Sequence, residues 1–190
     1  MNYSKIYRAD IANGENFRVS LFVSGCARNC KGCFNPEAQD PCFGKPFDDE
    51  AKQKIFKELE HEWCKGVSFL GGEPLSKLSD NRKVVIALAK EIREKFPDKN
   101  QWLWSDYILE EIQADDSMKD ILKYIDVLVD GPFIEEQKDL SIPFRGSKNQ
   151  RILKRGVDFW YEMQVYKAAD HWVYRALAEV ALADEWEWST

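Results

Sequence analysis

Cys26-Ala-Arg-Asn-Cys30-Lys-Gly-Cys33 places three cysteines within eight residues, in the spacing C-x3-C-x2-C. Thiolates on so short a loop suit an iron–sulfur cluster or part of another metal site. A four-iron cluster with three protein ligands keeps one iron open. An open iron takes an external ligand, which catalysis needs and simple electron carriage does not. Cys42 and Cys64 bring the total to five, an odd count that argues against a disulfide framework. Structural zinc is the alternative. It takes four Cys or His ligands, often in paired C-x2-C units. Here Cys42, Cys64, His61 or His171 would supply the fourth, and none of them makes a second knuckle. Without any metal, three adjacent loop thiols invite oxidation.

A second motif, Gly71-Gly72-Glu73-Pro74, follows an apolar run. Two glycines permit positive φ and let a ligand approach the backbone closely. Glu73 and the turn's carbonyls are suited to accept hydrogen bonds from an ammonium group. Pro74 fixes the exit direction. Taken alone, the motif is equally an ordinary turn.

The elements between these motifs decide whether they meet. Residues 17–23 are rich in β-branched and aromatic types and read as a strand leading into the cysteine loop. Asp48 caps a helix to about Trp63, with Ile55, Phe56, Leu59 and Trp63 on one face. Residues 66–70 form a second strand. Ser79 or Asp80 caps a helix to about Phe96, stopped by Pro97. Residues 101–104 form a third strand, with Trp102 and Trp104 on one face. Helical stretches at 108–113 and 117–124 precede a strand at 125–129, and a short last strand lies near 150–153. Strands alternating with helices predict an α/β fold with a mainly parallel sheet. A closed eight-stranded barrel needs about 250 residues. The 190 residues here therefore suit an open, partial β/α barrel of about five to six βα units. Ligands bind at the C-terminal strand ends in such sheets, where the cysteine loop, Gly71-Gly72, Ser105 and Asp130 all fall.

We read residues 1–156 as this barrel domain. Residues 157–190 differ: Lys167 and Arg175 stand against seven carboxylates, and four of the seven tryptophans lie here. Phe159, Met163, Tyr166, Ala169, Val173, Leu177 and Val180 recur at helical spacing, which predicts an amphipathic helical extension.

Composition narrows the function. The net charge is −6 and the pI about 5.1, so no basic field exists to recruit a nucleic acid. The longest apolar run, Val84 to Ala89, is far short of the roughly 20 residues of a membrane span. The first ten residues lack the apolar stretch of a signal peptide, and a cytoplasmic protein is expected.

At its two motifs the sequence resembles the radical S-adenosylmethionine superfamily. More narrowly, it resembles the activating proteins of anaerobic, class III ribonucleoside-triphosphate reductases. The likeness runs over about residues 1–155. It includes Met1-Asn-Tyr3, Leu21-Phe-Val-Ser-Gly-Cys26, Gly32-Cys-Phe-Asn35, Gly71-Gly-Glu-Pro-Leu75, Asp126-Val-Leu-Val-Asp-Gly131 and Arg145-Gly-Ser-Lys-Asn-Gln150. The resemblance implies that Cys26, Cys30 and Cys33 ligate a [4Fe-4S] cluster whose fourth iron chelates S-adenosylmethionine. It implies that Gly32, Cys33 and Phe34 lie by the adenine. Gly71, Gly72, Glu73 and Pro74 would meet the methionine ammonium, and Ser105 and Asp130 the methionine or ribose side. One electron from the cluster would then cleave the sulfonium reductively. The resulting 5′-deoxyadenosyl radical would take a hydrogen from a glycine of the reductase, and a donor such as flavodoxin would resupply the cluster.

Three stretches depart from that family. Gly14-Glu15-Asn16 stands for Gly-Pro-Gly, Trp104-Ser105-Asp106-Tyr107 for Trp-Thr-Gly-Tyr, and Pro132 for a lysine. Two other functions fit the same residues: a radical enzyme acting on a different protein or small molecule, and a zinc-stabilised, non-catalytic binding module.

Overall fold

The computed structural model describes residues 1–160, 163–168 and 171–176. In chain order its main elements are β1 (Asn2–Asp10), β2 (Arg18–Val23), β3 (Lys45–Pro46), α1 (Asp49–Leu59), β4 (Gly66–Gly71), α2 (Asn81–Lys95), β5 (Asn100–Ser105), α3 (Leu109–Ala114), β6 (Val127–Asp130) and β7 (Arg151–Lys154). They form a mixed α/β unit around one seven-stranded sheet of order β3-β1-β2-β4-β5-β6-β7. The four central strands are parallel, with Val23 beside Gly71, Phe69 beside Leu103 and Ser105 beside Asp130. The loops after β2, β4, β5 and β6 therefore leave from one edge. Among the described residues no helix is long and apolar enough to cross a membrane.

Alternation along each strand divides the sheet into two faces. Val19, Leu21, Val67, Phe69, Leu103 and Leu128 point to the helices and pack with Ile55, Leu59, Val85, Leu88, Ile92 and Ile112. Asp48 starts α1 by accepting a hydrogen bond from the Ala51 amide. α2 ends at Lys95, and Phe96, at φ −132° and ψ 66°, has left the helical region, which the residue before a proline disfavours. On the other face, Trp102 and Trp104 stack at 5.5 Å, sharing one side as expected. The buried Arg18 lies over the Trp102 ring and donates to Ser68 Oγ, Asn100 Oδ1 and the carbonyls of Glu15 and Val67. Burial lowers its pKa to about 10. Ser68 Oγ in turn donates to the Asn13 carbonyl. This polar network fills the N-terminal end of the strands and leaves their C-terminal end for the site.

The structure corrects several expectations. Three βα crossovers are present among the described residues, not five to six, because β1, β3 and β7 join antiparallel at the sheet's edges. β1 was not anticipated. The helical stretch expected at 117–124 is present as a short 3-10 turn at Lys119–Lys123. α1 stops at Leu59, four residues before Trp63, which instead packs half-exposed against Phe17 and His61. The chain turns there so that Gly66 can enter β4, where a Cβ would lie 1.9 Å from the Asn100 carbonyl oxygen.

The C-terminal extension is corrected as well. Met163–Ala168 (β8) and His171–Ala176 (β9) pair antiparallel, so this stretch is not helical. Val165, Tyr166, Trp172, Val173 and Tyr174 supply β-branched and aromatic types that favour strands and outweigh the helical spacing. The part of the expected helix at 177–190 lies outside the described residues. Past Gly156 the chain still contributes to the main core: Phe159 is buried in it, and its carbonyl accepts from the Gly156 amide.

Candidate functional site

The cysteine loop begins where β2 ends. Gly25, at φ +100°, donates to the Ala38 carbonyl, and the Cys26 amide donates to that of Gln39. The loop then reverses through left-handed Asn29 and Gly32, and the Cys33 amide closes a turn on the Cys30 carbonyl. Cys26, Cys30 and Cys33 are half-buried free thiols.

The glycine turn reaches the same place from β4. The Gly72 amide donates to the Val23 carbonyl at 2.8 Å and the Glu73 amide to that of Gly25 at 3.0 Å. These two bonds join the motifs directly, across 49 residues for Val23 and Gly72 and 48 for Gly25 and Glu73. A Cβ on Gly72 would lie 2.7 Å from the Ala38 oxygen and 3.0 Å from that of Gly25, so no side chain fits. Asn81, at the start of α2, completes the brace. Its buried Nδ2 donates to the carbonyls of Ser24 and Glu73. Nothing in the sequence distinguishes Asn81 from an ordinary first residue of a helix.

Glu73 lies at the expected edge with its side chain turned inward. Its carboxyl is buried and accepts from the Leu75 amide, Ser105 Oγ and the Asp106 amide, at 2.7, 2.9 and 2.7 Å. It ties the turn to the end of β5 instead of standing open to a ligand. Burial, followed by the nearby Asp106 carboxylate, pushes its pKa well above the ordinary range. Ser105 is buried in the same contact and also accepts from the Tyr107 amide. Pro74 is buried behind the turn.

Asp130 sits at the expected edge but faces inward, fully buried. It accepts from the Leu109 amide at 2.7 Å and receives Arg151 through two bonds of 2.9 and 2.5 Å. Arg151 also grips Glu110. Asp130 thus anchors the start of α3 to β7, and its oxygens are committed within the chain.

Two residues outside the expected site stand beside the cysteines. Asp106 Oδ2 accepts from Cys26 Sγ at 3.7 Å and pairs with Arg28 Nε at 3.3 Å. Burial, with the Asp106 charge second among the raising influences, pushes the Cys26 thiol up to about 11 and raises Cys30 as well. Such thiols stay protonated until a metal displaces the proton. Asp106 was visible in the sequence as a departure from the family pattern; Arg28 gave no signal.

The rim is apolar. Phe34 is 96% exposed, an unusual position for a large hydrophobe and a ready surface for a flat ligand. Gly32 turns at φ +70° against the Glu135 side chain.

The donor set fits a cluster better than one metal ion. Among the described residues no three His, Cys, Asp or Glu side chains gather as a single ion requires. A cubane spreads its cysteines over separate irons, so three thiols on one loop with an open mouth suffice. Cys64 is buried just before β4 and donates to the Gly66 carbonyl, with His61 nearby. Both lie at the far end of a six-residue strand, about 20 Å from the cysteine loop at 3.3 Å per residue. Neither can complete a zinc tetrahedron there.

Comparison with known proteins agrees with this geometry. Residues 12–153 match a family model described as a 4Fe-4S single cluster domain. The chain is 41% identical over 156 residues to the anaerobic ribonucleoside-triphosphate reductase-activating protein of Pasteurella multocida, covering 81% of this chain and 98% of that one. It is 42% identical over 154 residues to the protein so named from Haemophilus influenzae, covering 80% and 97%. The protein of that name from Enterobacteria phage T4 is 34% identical over 160 residues, covering 84% and 98%.

Proposed function

The chain belongs to the family of anaerobic ribonucleoside-triphosphate reductase-activating proteins, and from that premise we propose that it forms a glycyl radical on an anaerobic, class III ribonucleotide reductase. Cys26, Cys30 and Cys33 hold a [4Fe-4S] cluster at the mouth of the sheet. When bound, the cluster and S-adenosylmethionine supply reductive cleavage of the sulfonium and hydrogen abstraction from a glycine Cα.

The chain's own residues bind, orient and exclude. Gly71 and Gly72 bring backbone close to the methionine end, and their lack of side chains lets the turn pack against the backbone of Val23, Gly25 and Ala38. Gly32, Cys33 and Phe34 receive the adenine. Glu73, Ser105, Asp130 and Pro74 act one layer back: they hold the turn, the end of β5 and the start of α3 in place. Hydrogen abstraction needs near-contact geometry, so the partner's glycine loop must reach the strand edge. We read the sheet as an open, partial barrel whose unclosed side admits that loop. The linear strand order from β3 to β7 supports this. The same reading places the protein in the cytoplasm, with a flavodoxin-like donor and no nucleic-acid or membrane partner.

One observation carries the proposal: the backbone bonds that clamp the glycine turn onto the base of the cysteine loop. The test is anaerobic reconstitution with iron and sulfide, then incubation with S-adenosylmethionine, reductant and an anaerobic ribonucleotide reductase. We expect 5′-deoxyadenosine and a glycyl-radical electron paramagnetic resonance signal on the reductase. An intact cluster that leaves S-adenosylmethionine uncleaved would overturn the proposal.

A further inference from the structure

We propose that Asp106 and Arg28 set the reduction potential of the cluster held by the cysteine loop, Asp106 lowering it and Arg28 raising it. The inference rests on the cluster reading above. Its basis is the position of two opposite charges beside the ligands. One carboxylate oxygen, Asp106 Oδ2, lies 3.7 Å from Cys26 Sγ and 3.3 Å from Arg28 Nε.

Both groups are held by more than each other. The Asp106 amide is bound by Glu73 at 2.7 Å, immediately after the end of β5. Arg28 Nη2 donates to the Asp106 carbonyl at 3.2 Å and lies 3.9 Å from Glu111, and its guanidinium sits 5.7 Å from the centre of the Tyr107 ring. The carboxylate is therefore placed by its backbone anchor and by Arg28 rather than by the thiol proton. It stays beside Cys26 when the sulfur binds iron.

The redox step adds one electron to the cluster from a low-potential, one-electron donor. No bond forms or breaks in that step, and the cluster gains one negative charge. A fixed carboxylate near a ligand sulfur disfavours that charge and lowers the potential; a guanidinium favours it and raises the potential. Asp106's side chain is 14% exposed and Arg28's 40%, so water and salt screen Arg28 more. Asp106 has the larger effect. The net result is a cluster biased toward a strongly reducing potential, as cleavage of a sulfonium demands.

The test is an anaerobic redox titration of the reconstituted full chain, following the electron paramagnetic resonance signal of the reduced cluster. Wild type, Asp106→Asn and Arg28→Gln are compared after their iron and sulfide contents are shown to be equal. We expect Asp106→Asn to shift the midpoint to less negative values and Arg28→Gln to shift it the other way by a smaller amount. Unchanged midpoints, or shifts in the same direction, would overturn the inference. Should Asp106→Asn fail to hold a full cluster, Asp106→Gly takes its place. Failure of both to hold iron, where the wild type holds it, would mean that Asp106 is structural and would also overturn the inference. A wild type that takes up no iron and sulfide is a separate result, since it defeats the functional reading itself.

Discussion

Ser105 Oγ donates a hydrogen bond to Glu73 Oε1 at 2.9 Å, which fastens the end of β5 to the turn that follows β4. The same carboxyl accepts two backbone amides, so one buried side chain holds three segments of the site. Glu73→Ala should leave those donors without partners. Each such loss costs about 1–3 kcal/mol. We expect the apoprotein to lose roughly 3–5 kcal/mol in urea unfolding, and Glu73→Gln, which keeps an acceptor, to lose less. Equal stability of Glu73→Ala and wild type would show that these bonds contribute nothing.

Glu73 also predicts a pH dependence. Its carboxyl titrates well above the ordinary 4.5 in the folded chain, mainly because burial disfavours its charge. The folded state therefore binds the proton more tightly than the unfolded state. The associated stability is present in full below pH 4.5 and is lost as pH rises through the raised value. Unfolding of the apoprotein followed across this range should show a falling contribution that Glu73→Gln lacks. Parallel pH profiles for the two proteins would refute it.

Gly72→Ala places a methyl group against the Ala38 and Gly25 carbonyl oxygens. The turn must then move away from the cysteine loop, at a cost of about 1–3 kcal/mol. The thiols themselves are untouched. We expect normal iron content with S-adenosylmethionine affinity reduced at least tenfold, about 1.4 kcal/mol, in equilibrium binding. Unaltered affinity would remove the turn from the binding site.

The five cysteines should separate into two groups. Replacing Cys26, Cys30 or Cys33 by alanine should abolish the cluster, read as iron and sulfide per chain. Cys42→Ala should leave it intact, and so should Cys64→Ala. The latter empties a buried position and should cost about 1 kcal/mol of stability. Cluster loss on replacing Cys64 would contradict the placement of that residue at the far end of β4.

Truncation should report where the folded unit ends. Cutting after Gly156 removes Phe159, which is 1% exposed and packs in the main core. A loss of about 3–5 kcal/mol is expected, matched by Phe159→Ala in the full chain. A chain ending at Trp160 should keep most of its stability. If the cut after Gly156 leaves melting unchanged, Phe159 is dispensable to the core.

The iron–sulfur character was legible in the spacing, because three thiols within eight residues leave few uses other than a metal centre. The central strands were legible too. Residues 17–23, 66–70 and 101–104 alternate or run apolar in the way buried strands must, and their observed limits differ by a residue or so. The edge strand β7 was legible as well, near 150–153, whereas β1 was not read as a strand, and β8 and β9 carry apolar spacing compatible with a helix.

What spacing could not decide was which polar residues face a ligand and which hold the fold. Glu73 and Asp130 both occupy the expected edge, yet each turns inward to partners 32 and 21 residues away. Arg28 and Asp106, 78 residues apart, meet at a cysteine. A residue's type and neighbours state what bonds it can make. Only the packed sheet determines which partner is near enough, and dry enough, for the bond to form.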